Sequence, residues 1–176
     1  MKTKQLIFCI ALLCAVCSGA KAQTNEKYVG ISSTMGTETY IESVNTHFMN
    51  VSFFYEHKFS KHFSYDLGMG FKQEYVSGSV PVNVNFVSIP LDFKFNSNIV
   101  NVGLGASFDI YTNIWGQNGS TITSFNWMNA FNVGLFVSKN INITEQFILE
   151  PEVRFQYDLM RIQPILHLGM KLKYKL

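Results

Sequence analysis

The chain has 176 residues, of which 47% are hydrophobic and 15% are aromatic, with 14 basic against 12 acidic residues. This length fits one domain, and the near balance of charge, without a concentrated basic patch, excludes a nucleic-acid-binding surface. No apolar run after the first 22 residues is long enough to form a transmembrane helix. The high apolar content therefore has to be explained by shorter segments.

Residues 1–22 predict a secretory signal peptide. Lys2 and Lys4 make its start basic, an apolar run follows, and Ala20-Lys21-Ala22 supplies the small residues of a cleavage site. We expect cleavage near Ala22, which leaves residues 23–176 as one domain with 11 basic against 12 acidic residues.

All three cysteines, Cys9, Cys14 and Cys17, lie inside this segment, so the exported domain can form no disulfide. A lipoprotein would need a small residue before the modified cysteine. Because Leu13 precedes Cys14 and Val16 precedes Cys17, a cleaved signal peptide is favoured over lipidation.

The remaining chain is a series of segments in which apolar and polar residues alternate, the pattern of a β-strand with two different faces. In chain order, the predicted strands are 27–35, 47–59, 63–75, 82–95, 99–111, 126–139, 146–158 and 164–176. The pattern leaves the facing of the first strand open. The fourth is the clearest, because Val87, Ile89, Leu91, Phe93 and Phe95 share one face.

The connections between these strands tend to alternate in length. Short turns follow the second, fourth and sixth strands, whereas polar loops are predicted at 36–46, 76–81 and 112–125, and the short seventh link is an exception. Short turns at one end and loops at the other are typical of an antiparallel meander in a bacterial outer membrane, with both termini in the periplasm.

The charged residues decide which face meets lipid. From the second strand to the last, every charged side chain lies on the polar face of its strand: Glu56, Lys58, Asp66, Lys72, Glu74, Asp92, Lys94, Asp109, Glu150, Glu152, Arg154, Asp158, Lys171, Lys173 and Lys175. A cation on the lipid face of a membrane barrel costs about 2–4 kcal/mol at mid-membrane, whereas a soluble lipocalin-like barrel would place its polar face outside. We therefore predict an all-β fold, an eight-stranded antiparallel up-and-down transmembrane β-barrel with a polar lumen that side chains fill and no open pore.

The segment Phe86-Val87-Ser88-Ile89-Pro90-Leu91-Asp92-Phe93-Lys94-Phe95, followed by Val102-Gly103-Leu104-Gly105-Ala106-Ser107-Phe108, resembles the PorT-like outer membrane β-barrel family of Bacteroidota. That family is similar in architecture to the small OmpX and OmpA barrels. The resemblance implies an accessory role in protein secretion. The last strand also resembles an assembly signal for the barrel-insertion machinery, although it ends in Leu176 and not in an aromatic residue.

A group of charged residues in the predicted lumen is the first candidate site. It comprises Asp92, Lys94, Glu150, Glu152, Arg154, Asp158, His167 and Lys171, and we interpret it as a network of cross-strand ion pairs. The alternative is a hydrolase in which His167 acts as base beside Glu150 or Glu152, but the register places no serine near His167. Because the four histidines lack ligand spacing, we predict no metal site, and we predict no cofactor and no enzymatic activity.

The loops are the second candidate site. In loop 112–125, Ile114, Trp115 and Phe125 are apolar residues in a polar segment, so we select them as candidate contacts with an unidentified extracellular or periplasmic protein. The alternative is that they pack on the barrel rim. The predicted role is structural or loop-mediated binding, with outer-membrane lipid and the barrel-assembly machinery as further partners.

Overall fold

The computed structural model describes residues 25–39, 45–77, 82–116 and 129–176. Its strands are β1 (Glu26–Thr39), β2 (Asn45–Lys58), β3 (Phe63–Val76), β4 (Val82–Phe95), β5 (Asn101–Gly116), β6 (Ala130–Ser138), β7 (Ile141–Asn142), β8 (Phe147–Asp158) and β9 (Gln163–Lys175). No helix among these residues is long and apolar enough to span a membrane.

The strands form a closed antiparallel barrel. Each long strand pairs with its neighbour in the chain, β6 pairs with β8, and β9 returns to pair with β1. The two residues of β7 form only a short ladder with β8, at Leu149 and Ile148. The predicted eight-stranded up-and-down barrel is therefore confirmed. We call the rim where residues 59–62, 96–100 and 139–146 connect the strands the turn end, and the opposite rim the loop end.

The bounds of β2, β3, β8 and β9 lie within two residues of the prediction. β4 has the predicted bounds, whereas β1 continues to Thr39 and β5 continues to Gly116. The prediction of a loop beginning at residue 112 is wrong, because β5 stays paired with β4 as far as Gly116 opposite Val82. A bulge there, with Thr112 donating a hydrogen bond to the Asn85 backbone oxygen at 2.8 Å, breaks the alternation on which the prediction relied.

The alternation places apolar side chains outside and polar side chains inside the barrel. Phe53 is 69% exposed and Leu104 is 62% exposed on the outer face, whereas Lys94 and Glu150 are completely buried in the lumen. The first strand obeys the same rule, since Ile31 is exposed and Ser32 is buried. Such a wall is stable only where something apolar covers its outside.

Four phenylalanines depart from this rule and point inward: Phe48, Phe54, Phe86 and Phe136. Phe136 lies against Gly103 of the neighbouring strand, where an added Cβ would come within 2.3 Å of its ring. The glycine thus leaves the space in which an inward ring fits. Near the loop end, Val82, Val84 and Phe86 form a small apolar cluster with Val76 and Tyr111.

Candidate functional site

The lumen holds most of the charge of the described chain. Eight carboxylates and five cations are buried there, and Arg161 enters from the β8–β9 turn. The carboxylates are Glu56, Asp66, Glu74, Asp92, Asp109, Glu150, Glu152 and Asp158, and the buried cations are Lys72, Lys94, Arg154, Lys171 and Lys173. Buried charges need partners because their desolvation is costly, and each of these carboxylates has one.

Lys94 is the centre of the cluster nearest the turn end. Its Nζ lies 2.8 Å from Glu56, 3.1 Å from Asp66 and 3.3 Å from Glu150. Lys173 closes the group, at 3.0 Å from Glu56 and 2.9 Å from Glu150. Glu150 also accepts a hydrogen bond of 2.5 Å from the Ser138 hydroxyl. Six strands are tied together at this level.

Arg154 and Lys171 extend this cluster toward the middle of the barrel. The guanidinium donates two parallel hydrogen bonds to Asp92, at 2.8 and 2.6 Å, and its Nε lies 3.2 Å from Glu152. Lys171 bridges Asp92 at 2.9 Å and Asp66 at 2.8 Å, which joins the two groups into one network. We call this network of nine residues the lower network: Glu56, Asp66, Asp92, Lys94, Glu150, Glu152, Arg154, Lys171 and Lys173. The Phe136 ring packs under the guanidinium, 4.6 Å from its carbon.

Gly105 makes this arrangement possible. A Cβ at this position would lie 2.6 Å from Asp92 Oδ1 and 2.8 Å from Arg154 Nη1, closer than such atoms approach. Because Gly105 has no side chain, Asp92 and Arg154 can approach β5 closely enough to form their bidentate pair.

A second cluster, the upper network, lies nearer the loop end. Lys72 contacts Glu74 at 2.7 Å and Asp109 at 3.1 Å, and Ser88 donates a hydrogen bond of 2.6 Å to Asp109. Arg161 contacts Glu74 and Asp158 from the β8–β9 turn.

Between the two networks lies a cavity of only about 40 Å³. Ser32, Ser52, Asn132 and Gln156 are among the polar residues around it. A volume of this size holds a few water molecules at most, because one water needs roughly 10–15 Å³ by this measure. The interior of an eight-stranded barrel is filled by its side chains, and this lumen follows that rule.

The structure separates the predicted lumen residues into three environments. Asp92, Lys94, Glu150, Glu152, Arg154 and Lys171 lie together in the lower network. Asp158 belongs to the upper network. His167 packs edge-on against Phe48, with 4.6 Å between ring centroids, and its Nε2 has no hydrogen-bond partner among the described residues.

The predicted network omitted six charged lumen residues whose inward facing was predicted: Glu56, Asp66, Lys72, Glu74, Asp109 and Lys173. Arg161 is the charged lumen residue whose inward facing was not predicted. It lies in a link that has no alternation, so its facing could not be predicted from the pattern. The available signal was its spacing, because an arginine three residues after Asp158 can fold back on that carboxylate in a tight turn.

The candidate loop contacts are placed differently from the prediction. Ile114 and Trp115 lie in β5, opposite Val84 and Asn83, and not in a loop. Phe125 lies outside the described residues.

The turn end has a wider polar hollow of about 380 Å³. Lys58 and Lys175 line it and share Glu26, at 3.1 and 2.8 Å. Lys139 and Glu145 complete its charged rim. Among the described residues, no group of three histidine, cysteine, aspartate or glutamate side chains could hold a metal ion.

A closed eight-stranded barrel with an apolar outside and an ion-paired inside has the fold of the small outer-membrane β-barrels. Solved structures agree. The Neisserial surface protein A (NspA) matches with a TM-score of 0.59 and 13% identity, over 85% of this chain and 97% of that one. Ail, the attachment invasion locus protein of Yersinia pestis, matches with a TM-score of 0.53 and 8% identity, over 86% and 99%.

The outer membrane protein AlkL, solved in lipid bilayers, matches with a TM-score of 0.54 and 12% identity, over 89% of this chain and 92% of that one. No protein-family model matches the chain, and no curated protein matches it in sequence. At such low identities, the structural matches show the fold alone.

Proposed function

We propose that this protein resides in a bacterial outer membrane as a small structural or binding barrel that conducts no solute. The observation that carries the proposal is the inverted polarity of the barrel. The outward face between the rims is apolar, whereas eight carboxylates and their cations are buried inside. Water around the barrel would disfavour the apolar outward face, whereas lipid around it favours that face.

The absence of conduction follows from the filled lumen. Arg154, Lys171 and Lys94 stand across the interior in ion pairs with several strands, and the cavity between the networks measures about 40 Å³. A solute would have to break several buried ion pairs in order to pass, and each broken pair costs about 3–5 kcal/mol.

We assign the binding role to residues at the two rims of the barrel. At the loop end, Ile114 and Trp115 lie near the end of β5, the strand that precedes residues 117–128 in the sequence. At the turn end, the polar hollow presents lysines and glutamates to the periplasm. We propose an unidentified protein partner at one of these rims, and insertion by the barrel-assembly machinery after cleavage of residues 1–22.

We further propose that the protein is not an enzyme. The hydrolase alternative needs His167 hydrogen-bonded to a nucleophile, whereas its ring packs on Phe48 and its Nε2 has no such partner among the described residues.

Gel mobility and ion flux test the proposal together. The protein from isolated outer membranes should change its mobility on boiling in detergent, and vesicles that contain it should retain a trapped salt gradient as empty vesicles do. A porin serves as the positive control. Loss of the gradient as in the porin control would contradict the filled lumen, and recovery of the protein from the soluble periplasm would contradict the membrane location.

The resemblance to PorT-like proteins suggests accessory work in secretion as the alternative role. A deletion strain distinguishes the two: loss of exported cargo from the medium, restored by the wild-type gene, would favour secretion. Unchanged export would leave the structural or binding role.

A further inference from the structure

The turn between β8 and β9 has its polarity reversed. Its four residues run Leu159-Met160-Arg161-Ile162, and the three apolar side chains are 51%, 46% and 69% exposed. The single charged residue, Arg161, instead enters the barrel, where only 12% of its side chain remains accessible.

Hydrogen bonds to two buried carboxylates hold Arg161 from inside. Its Nη1 and Nη2 donate to the two oxygens of Glu74 at 2.9 and 3.0 Å, and its Nε donates to Asp158 at 2.6 Å. The other Asp158 oxygen accepts hydrogen bonds from the backbone N–H groups of Met160 and Arg161, at 2.8 and 3.1 Å. The turn is therefore fixed to the upper network and is not free to rotate its apolar side chains inward.

In water this arrangement would be unfavourable. Exposing a large apolar side chain to water forfeits the hydrophobic stabilisation that burying it would give, and the turn exposes three. Ile162 also has a positive φ of 58°, a conformation in which a β-branched residue is strained. A turn built for water would place the arginine outside and a glycine at this φ.

The position of the turn supplies the missing apolar surroundings. On the outer face of β8, the rings of Phe147 and Tyr157 lie ten residues apart, and 9–11 residues of a tilted strand cross the hydrocarbon core. Leu159 follows directly, and its N–H donates a 2.9 Å hydrogen bond to the Phe131 backbone oxygen. The exposed turn is thus continuous with the lipid-facing side chains of β6, β8 and β9.

By contrast, β5 continues for seven residues, from Ile110 to Gly116, beyond its last pair with β6 among the described residues. The wall therefore stands higher on the β5 side than at the β8–β9 turn, which leaves this turn at the level of the membrane boundary.

We propose that the β8–β9 turn is a membrane anchor, whose Leu159, Met160 and Ile162 enter the outer-leaflet lipid while Arg161 positions them from inside the lumen. The inference rests on the proposed outer-membrane location. It commits to lipid hydrocarbon as the occupant, because the apolar belt of the barrel wall continues into the turn without a polar break.

Spin labelling tests the anchor, since residues 25–176 contain no cysteine. The full chain, with Cys9, Cys14 and Cys17 changed to Ser, is folded into phosphatidylcholine vesicles and carries a nitroxide at Met160→Cys, Glu145→Cys or Leu168→Cys. Glu145 lies exposed at the turn end and Leu168 on the outer wall. Power saturation then compares relaxation by oxygen, which concentrates in hydrocarbon, with relaxation by a water-soluble nickel chelate.

We expect the label at 160 to resemble the label at 168, relaxed by oxygen and shielded from nickel, and the label at 145 to show the reverse. If 168 is shielded but 160 is relaxed by nickel as 145 is, the anchor is overturned while the membrane barrel stands. If 168 itself is relaxed by nickel, the proposed function fails first.

The role of Arg161 is tested with Arg161→Ala in the Met160→Cys background, and Lys139→Ala, an exposed lysine of the turn end, is the control. Loss of the guanidinium should free the turn and move the label at 160 toward nickel accessibility, with the label at 168 unchanged. An unaltered oxygen-to-nickel ratio at 160 would overturn the positioning role.

Discussion

Arg154 and Asp92 face each other across the lumen with two parallel hydrogen bonds, Nη1 to Oδ1 at 2.8 Å and Nη2 to Oδ2 at 2.6 Å. The two residues are 62 positions apart in the chain and lie on β8 and β4, which are not neighbours in the barrel. The pair therefore braces opposite parts of the wall. Such fork-to-fork pairs add directional specificity to their electrostatic attraction.

Removing one partner of this pair should destabilise the barrel strongly. We expect Asp92→Asn to lower the free energy of unfolding by about 3–5 kcal/mol, because Arg154 and Lys171 both lose a buried counter-charge. Urea titration of the protein folded into vesicles measures the change.

A double variant that removes both partners tests whether the loss of stability comes from unpaired charge. Asp92→Leu with Arg154→Met keeps the lumen charge balanced, and we expect it to be more stable than Asp92→Leu alone. Glu145→Gln, at an exposed turn position, should change stability by less than about 0.5 kcal/mol. Equal stability of wild type and Asp92→Asn would show that the pair does not brace the wall.

Replacing Lys94 should destabilise the barrel strongly. Lys94→Met leaves Glu56, Asp66 and Glu150 converging on an uncharged side chain, with Lys173 and Lys171 to compensate only in part. We expect a loss of about 3–5 kcal/mol in the same urea titration.

Two controls make the Lys94 result specific. Lys139→Met removes an exposed lysine and should leave the unfolding midpoint unchanged within error. Adding Glu150→Gln to Lys94→Met should recover part of the loss, since one uncompensated carboxylate is removed. No recovery would indicate that Lys94 acts through packing and not through its charge.

Gly105 should not tolerate a methyl group. Gly105→Ala forces apart Asp92 and Arg154, whose atoms would lie 2.6 and 2.8 Å from the new Cβ, and overpacking of this kind costs about 1–3 kcal/mol. In an Arg154→Met background the added cost should shrink, because both changes disturb the same contact. Unfolding titrations of the four variants in the cycle measure this coupling, and strictly additive losses would refute it.

A methyl group should be tolerated even less well at Gly134 than at Gly105. An added Cβ there would meet backbone atoms of β8, including Gln156 Cα at 2.6 Å, and backbone cannot move aside as a side-chain tip can. We expect Gly134→Ala to prevent the boiling-dependent change in gel mobility that marks a closed barrel.

The sequence predicted the strand facing well because facing depends on local alternation. From Val87 to Phe95, each apolar residue lies outside and Asp92 and Lys94 lie inside, as the pattern requires. The contacts of those charges depend on register, which no single strand specifies. Lys94 meets Glu56 from 38 positions away, and that approach follows only once two strand pairings are fixed.

Irregular positions account for what could not be predicted. The bulge at Thr112 kept Ile114 and Trp115 in β5, although Asn113 and Gly116 are residues typical of loops. Arg161 was missed because a four-residue link has no period, so the contact with Glu74, 87 positions away, could not be predicted.

The outer face gives the sharpest test of the surroundings of the barrel. Leu168 lies near the middle of β9, opposite Val153 and Met35, and is 57% exposed. Leu168→Arg should reduce the free energy of unfolding from vesicles by about 2–4 kcal/mol, because a cation at the bilayer midplane loses its hydration. The control Ile99→Arg alters a residue of the turn end that is 77% exposed, where the cost should be only about 0–1 kcal/mol. If water covered the outer face, both arginines would be solvated and both variants would match the wild type, so equal stability of the two variants would exclude lipid around this wall.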